Sequence, residues 1–298
     1  MNKIQTNQTY LKMNRRYFLI GVSSFTISLL FSACNQNSSD ISANLTANPT
    51  ASPVQVTQEK EVIKVGVWSV ISDDILKFIQ TNLAASEGLD IQIVNFNDWT
   101  QPNTALKDGQ IDANFFQHTP FMQNAAKELN LNLIMLKTGF LTPIGIYSKR
   151  YKSIAEVPQK ATIAIYNDKS NGDRSLRLLA SQGFIKFKDS VGEFAGVKDI
   201  KDNPKNLQLK ELEGPAIVRS LDDVDIAVLS ASLRLQAGLQ LKPLVQESAS
   251  EQRYAVGLVT LQEKANEPKI QKLGSLINAP QVKDFINQKY QGAVLPVF

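Results

Sequence analysis

From Ile63 onward, short runs of alternating apolar residues are separated by amphipathic helical segments, and that succession limits the chain to a sheet covered by helices. Ile63, Val65 and Val67 alternate as on a strand, and Ser72 reads as the cap of a helix whose apolar face is Ile75, Phe78, Ile79 and Leu83 before Gly88 stops it. Leu89, Ile91 and Ile93 alternate on a second strand, and a short helix from Pro102 to Asp108, closed by Gly109, leads into a strand from Ile111 to Phe116. This βαβ order predicts an α/β fold with a mostly parallel sheet. A second unit of the same kind follows Gly139: a strand around Ile144, Ile146 and Tyr147, another from Ala161 to Tyr166, and a helix from Asp173 to Gln182 with Leu176, Leu179 and Ala180 on one face. Asp225 to Leu229 and Tyr254 to Leu261 read as further strands, and Asn278 as the cap of a last helix that turns Val282, Phe285, Ile286 and Tyr290 inward. Two similar lobes joined in mid-chain imply a cleft between them.

The start of the chain is built differently. Residues 1–34 carry Lys3, Lys12, Arg15 and Arg16 without an acid, then an apolar run from Tyr17 to Phe31, then Ser32-Ala33-Cys34. The pattern is a signal peptide with a small-residue cleavage site, and the run is shorter than the roughly 20 residues that span a bilayer. Cys34 is the sole cysteine of 298 residues, so the folded part is held without disulfides. Residues 35–60, dominated by Asn, Ser, Thr, Ala, Pro and Gln, bury too little apolar surface to order themselves and read as a tether. The boundaries expected after it are residues 61–140 for the first part of lobe 1, 141–254 for lobe 2 and 255–298 for the return to lobe 1.

The chain also contains one histidine, His118, within DWTQPNTALKDGQIDANFFQHTPFM. Thr119 reads as an N-cap and Pro120 as the first helical position, which puts His118 at a strand-to-helix turn, where α/β sheets hold ligands. A loop histidine is the plain reading; Trp99, Phe115, Phe116 and Phe121 nearby favour an aromatic pocket with a polar handle. In YNDKSNGDRSL (Tyr166 to Leu176), Asn171 and Arg174 fall at the start of a helix, where free N–H groups and a planar guanidinium suit a carboxylate. The competing reading is a capped helix whose arginine pairs with Asp168 or Asp173.

Charge and composition narrow the class. The chain has 32 basic and 28 acidic residues, and four of the basic ones lie in the leader, so the exported part is balanced and offers no clustered excess for nucleic acid. A serine hydrolase would need a base and a G-x-S-x-G elbow, which the sequence lacks. A zinc site would need more than one histidine or a thiol in the folded part, and Asp222, Asp223 and Asp225 read as a solvated turn. A non-enzymatic binding protein without cofactor or metal is therefore the reading, with a surface lipoprotein that only contacts partners as the third class.

The motifs NFFQHTPFM, YNDKSNGDRSL, ELEGPAIVRSLDDVDIAVL and KYQGAVLPVF resemble, in order and spacing, those of the NlpA/MetQ lipoproteins, the substrate-binding proteins of methionine ABC importers. LFSAC is similar to a bacterial lipobox, with Phe31 in place of the usual leucine, and NRRYFLIG resembles a twin-arginine signal, although an arginine pair suits any basic leader. The family resemblance covers about residues 61–298. It implies a type 2 periplasmic-binding-protein fold, two lobes with a ligand cleft at the hinge, a monomer lipid-anchored through Cys34 in the cell envelope, and an ABC permease and ATPase as partners. It further implies that Trp99, Phe116 and His118 surround a methionine-like side chain, while Asn171, Arg174 and Ser230 face the head group. Where the family has asparagines after its DVDIAVL strand, this chain has Ser230, Ala231, Ser232 and Leu233. The family's glycine before the arginine is Asp173, which should put a negative charge beside the head group, and its proline after Asn-Asp is Lys169. Methionine, a methionine derivative, a short peptide or another small apolar amino acid all fit these changes.

Overall fold

The computed structural model describes residues 60–298. The signal peptide, Cys34 and all but the last residue of the tether lie outside the described residues. In chain order the elements are β1 (Glu61–Val67), α1 (Val70–Asn82), β2 (Leu89–Asn95), α2 (Gln101–Lys107), β3 (Ala113–His118), α3 (Thr119–Leu129) and β4 (Leu133–Leu141). There follow β5 (Ile144–Tyr147), β6 (Thr162–Tyr166), α4 (Lys169–Ser181), β7 (Lys186–Phe187), β8 (Ile200–Asp202), β9 (Gln208–Leu212), α5 (Gly214–Arg219), β10 (Ile226–Ser230), α6 (Ala231–Gln236) and β11 (Val245–Gln246). The chain ends with β12 (Val256–Leu261), α7 (Pro268–Ile277), α8 (Pro280–Tyr290) and β13 (Leu295–Pro296).

These strands form two main sheets, one per lobe: β13-β4-β12-β3-β1-β2 and β11-β5-β10-β6-β9. The chain changes lobe twice, after β4 and after β11. The architecture is the α/β, two-lobed type 2 periplasmic-binding fold. The sheets are mixed rather than mostly parallel. The βαβ crossovers give the parallel pairs β1/β2, β1/β3, β6/β9 and β10/β6, but the strands flanking each lobe change run antiparallel to their neighbours. Periodicity within a segment does not report that direction; the crossing topology does.

Each lobe has its own core. Ile63, Val65, Ile75, Ile79, Leu89, Ile91 and Phe115 pack with Leu273, Val282 and Ile286 of the two last helices in lobe 1. In lobe 2, one face of the sheet buries Ile163, Ile165, Leu176 and Leu179, and the other buries Tyr147, Tyr166, Ile217 and Leu229. Trp68 and Trp99 of lobe 1 pack against that second face, so part of lobe 2's core is roofed from across the cleft.

Several helix boundaries differ from the sequence reading, each for a local reason. The cap of α1 is Ser69, whose Oγ accepts the Ser72 N–H at 3.2 Å; Ser72 is buried in the first turn. α1 ends at Asn82, and Gly88, at φ 67°, closes a separate short turn. α4 starts at Lys169, four residues early, because the Asp168 carboxylate accepts the Asn171 N–H. Asn278 closes α7 instead of opening α8, and its Nδ2 donates to the Thr138 carbonyl at 2.7 Å. If Ser69 is the cap, Ser69→Ala should lower unfolding free energy by about 0.5–2 kcal/mol. Ser72→Ala, which deletes only the hydroxyl bonded to Ser69, should cost less. Urea denaturation of the two variants checks the order.

Candidate ligand cleft between the lobes

Strands β1, β3, β6 and β10 end on a common cavity, and their C-terminal residues or the next ones, Trp68 and Ser69, His118, Tyr166 and Ser230, line it. Open α/β sheets place ligands beyond the carboxyl ends of their strands, and here two sheets do so face to face. The space is small, about 60 Å³, and three neighbouring hollows measure about 310–430 Å³. All six residues singled out from the sequence, Trp99, Phe116, His118, Asn171, Arg174 and Ser230, border it, together with Gln117, Phe121, Phe140, Thr142, Ser232, Leu233 and Val256.

Phe116, Gln117 and His118 are consecutive yet all reach the cavity, which a regular strand with alternating faces would not allow. The β3/β12 register supplies the reason: Gly257 pairs Gln117 but Leu258 pairs Phe115, so Phe116 is an extra residue in a bulge. Beneath it, Gln117 is fixed by Asn103 and Asn114 in a buried amide network with bonds of 2.7–3.0 Å.

His118, not Thr119, is the N-cap of α3: its Nδ1 accepts the Phe121 N–H at 3.2 Å. The accepting Nδ1 fixes the proton on Nε2, which donates across the cleft to Asn171 Oδ1 at 3.0 Å. The Asn171 amide in turn donates to Asp168 at 3.0 Å. Burial, reinforced by the charge of Arg174, pushes the His118 pKa down to about 3, so the ring is neutral across the physiological range. Both nitrogens are engaged, and the imidazole is a cross-cleft connector.

Arg174 is buried, and its partner is neither Asp168 nor Asp173. Its Nε donates to Glu247 Oε2 at 2.9 Å and its Nη2 to Glu247 Oε1 and to the Thr142 carbonyl, while the Tyr254 ring lies 4.2 Å from its central carbon. Thr142 and Glu247 flank the two lobe changes, so the guanidinium is moored to the hinge itself. Its Nη1 makes no hydrogen bond among the described residues.

Asp173 does not disturb the cavity, contrary to the expectation from sequence. Its side chain turns away to accept from Arg177 Nε at 2.9 Å and from the Ala195 N–H at 2.8 Å. Lys169 points to lobe 1 and pairs with Glu128 at 2.9 Å on the exposed rim. Asp222 and Asp225 are spent on Lys149 and Arg150. No cluster of three or more metal-ligating side chains occurs among the described residues, and no described helix is long and apolar enough to cross a membrane.

Sequence reasoning missed Trp68, Tyr166, Glu247 and Tyr254. Trp68 and Tyr166 could have been found by applying to every strand the end-of-strand rule used for His118. Glu247 and Tyr254 carry no local signal, because they reach Arg174 only through the fold.

The model of one protein family, described as NlpA lipoprotein, matches residues 63–298. The chain belongs to the NlpA lipoprotein family. The D-methionine-binding lipoprotein MetQ of Escherichia coli K12 is 36% identical over 236 residues, 78% of this chain and 87% of that protein. Outer membrane lipoprotein 1 of Mannheimia haemolytica is 39% identical over 194 residues, 65% of this chain and 69% of that protein. Among solved structures, a nutrient-binding protein from Burkholderia cenocepacia bound to methionine superposes with a TM-score of 0.76 at 36% identity, covering 79% of this chain and 100% of that one. Within this NlpA-family chain, the cleft is the place where the fold class, the strand ends and the buried cation coincide.

Two measurements test the cleft geometry. A Cβ on Gly214, at the start of α5, would lie 2.2 Å from the Trp99 ring, so Gly214→Ala should displace the indole and hold the lobes apart, seen as a larger radius of gyration in small-angle scattering. His118 binds its proton at about 6.5 when unfolded and at about 3 when folded, so its contribution is complete above pH 6.5 and is lost as pH falls towards 3. Wild type should therefore lose up to about 1.4 kcal/mol per pH unit more than His118→Gln in urea denaturation between pH 6 and 4.

Proposed function

We propose that this chain is the substrate-binding lipoprotein of an ABC importer, which captures a small apolar amino acid or derivative of methionine's size and hands it to a membrane permease. The observation that carries the reading is the cavity itself. It lies between two lobes, with the aromatic rings of Trp68, Trp99, Phe116 and Phe121 and the single cation Arg174 among its lining. Aromatic faces suit a polarizable thioether, each such contact contributing roughly 0.3–1.5 kcal/mol. The hydroxyls of Ser230 and Ser232, 3.1 Å apart, line the same cavity. The methionine-binding relatives support a ligand of this kind.

No bond-making step is needed. His118 is neutral with both nitrogens occupied, so it does not serve as a base, and no other imidazole or thiol lies among the described residues. In this reading the segments between β4 and β5 and between β11 and β12 are the hinge, ligand favours the closed arrangement by bridging both lobes, and the permease reads the closed form. The protein works as a monomer, held to the cell-envelope membrane by lipid on Cys34 and facing the periplasm or the exterior.

Calorimetry with the full chain tests this: small apolar carboxylates of methionine's size should bind, and aspartate, phosphate and divalent metals should not. Arg174→Ala alone would strand the Glu247 charge in the interior, so the informative variant is Arg174→Gln with Glu247→Gln. It should remain folded and lose at least about 1.5–3 kcal/mol of affinity, the range for a hydrogen bond to a charged group. Retained affinity would refute the assignment of Arg174.

A further inference from the structure

One of the acceptors that face the cavity is held in place by a residue outside it. We propose that Asn103 is a positioning residue for the ligand's amino group: it holds the Gln117 amide so that the Gln117 oxygen accepts from the ammonium of a bound amino acid. The proposal rests on the reading above that an amino acid occupies the cleft.

Gln117 lines the cavity, whereas Asn103, on α2, lines the separate hollow of about 430 Å³ between α2 and α3. The two amides meet in the wall between these spaces and pair reciprocally. Asn103 Nδ2 donates to Gln117 Oε1 at 3.0 Å, and Gln117 Nε2 donates to Asn103 Oδ1 at 2.7 Å. Gln117 Nε2 also donates to Asn114 Oδ1 at 2.9 Å, and Asn114 Nδ2 donates to Asn103 Oδ1 at 2.9 Å. Both protons of the Gln117 amide are therefore spent, and what its side chain has left is one lone pair on Oε1. The amide cannot turn by itself. Half a turn would set its oxygen against the Asn103 and Asn114 oxygens and its nitrogen against the Asn103 N–H.

Three buried amides beside a ligand cavity call for a reason, because each polar atom among them costs free energy unless it is bonded, and a satisfied network serves to rigidify. The cavity supplies one. Arg174 is the sole charged residue in its lining, so an ammonium there must be received by neutral oxygens. The hydroxyls of Tyr166, Ser230 and Ser232 have lone pairs to offer, but a hydroxyl rotates and serves as donor or acceptor alike. The Gln117 oxygen, held by Asn103, is a fixed acceptor and so distinguishes a ligand with N–H groups from one without. The bulge at Phe116 is what brings Gln117 to the cavity beside His118.

Calorimetry near neutral pH with L-methionine and with 4-(methylthio)butanoate, the same carboxylate without the amine, tests the proposal. Wild type should prefer methionine. Asn103→Ala should cut that preference about tenfold or more by weakening methionine, while the analogue stays within about threefold of its wild-type affinity. Gln117→Glu keeps the oxygen and adds a negative charge, so it should widen the preference about tenfold or more. A general loosening of the fold would weaken both ligands together and leave their ratio alone. Equal losses in Asn103→Ala would therefore overturn the proposal and leave the carboxylate reading of the cleft intact, whereas binding of neither ligand to wild type would overturn both. If Asn103→Ala does not fold by circular dichroism, Gln117→Glu decides: an unchanged or narrowed preference there would overturn the proposal by itself.

Discussion

The buried ion pair of Arg174 and Glu247 is the interaction around which the two lobes are arranged. Their side chains are only 4% and 8% exposed, so neither charge is tolerable alone, and each must be satisfied by geometry that the surrounding chain enforces. That geometry comes from both lobe changes at once: the Thr142 carbonyl belongs to the first, and Glu247 and Tyr254 flank or belong to the second. The guanidinium thus links the two connecting segments while bordering the cavity. A change in the hinge would move the cation, and a load on the cation is felt by the hinge. Such a pair adds little to stability compared with a hydrophobic replacement; what it does is fix the position of the guanidinium.

Around that fixed point, the sheets supply the rest of the cavity by a shared rule. Strand ends carry side chains at or just past the last ladder pair, where the chain leaves the sheet and ligands are held in α/β folds. Trp68, His118, Tyr166 and Ser230 occupy four such ends, and three of them serve twice, since His118 and Ser230 cap helices and Tyr166 accepts the Ser230 N–H. Capping removes rotational freedom from side chains that would otherwise be mobile at a loop. The same contact that starts a helix therefore orients a group towards the cleft.

Much of this was legible in the residues. Alternation at Ile63, Val65 and Val67 and the spacing of Ile75 and Ile79 located β1 and α1, because burial of one face leaves a period in the sequence. The clustering of aromatics around His118 marked the apolar end of the cavity. Strand direction was not legible, since antiparallel pairing follows from where the chain re-enters a lobe. Caps were misplaced by three residues at Ser69 and by one at His118, because several adjacent residues can cap and tertiary packing selects among them. Asp173 looked like a disturbance to the head-group site for a similar reason: adjacency to Arg174 in sequence means about 100° of separation around a helix, which aims its carboxylate at Arg177 and Ala195. Glu247, 73 residues from its arginine, had no sequence signal at all.

The contacts that span the cleft differ in weight, and their relative sizes decide what holds the closed arrangement. Lys127–Glu193 and Lys169–Glu128 bridge the rim, but all four side chains are more than half exposed, so each pair contributes about 0–1 kcal/mol and fades with salt. Trp68 and Trp99 meet edge to face at 5.2 Å and pack on the Tyr166 and Leu233 side of lobe 2; burying aromatic surface of that size contributes more than the rim pairs do. The His118–Asn171 bond adds direction more than energy, because its donor and acceptor must both be dry to count. Closure is accordingly driven by aromatic burial and aligned by one neutral hydrogen bond, with the rim charges as a minor addition. In the proposed reading, a ligand that inserts its apolar end among the tryptophans would add to the dominant contact, whereas one that reached only Arg174 would leave it untouched.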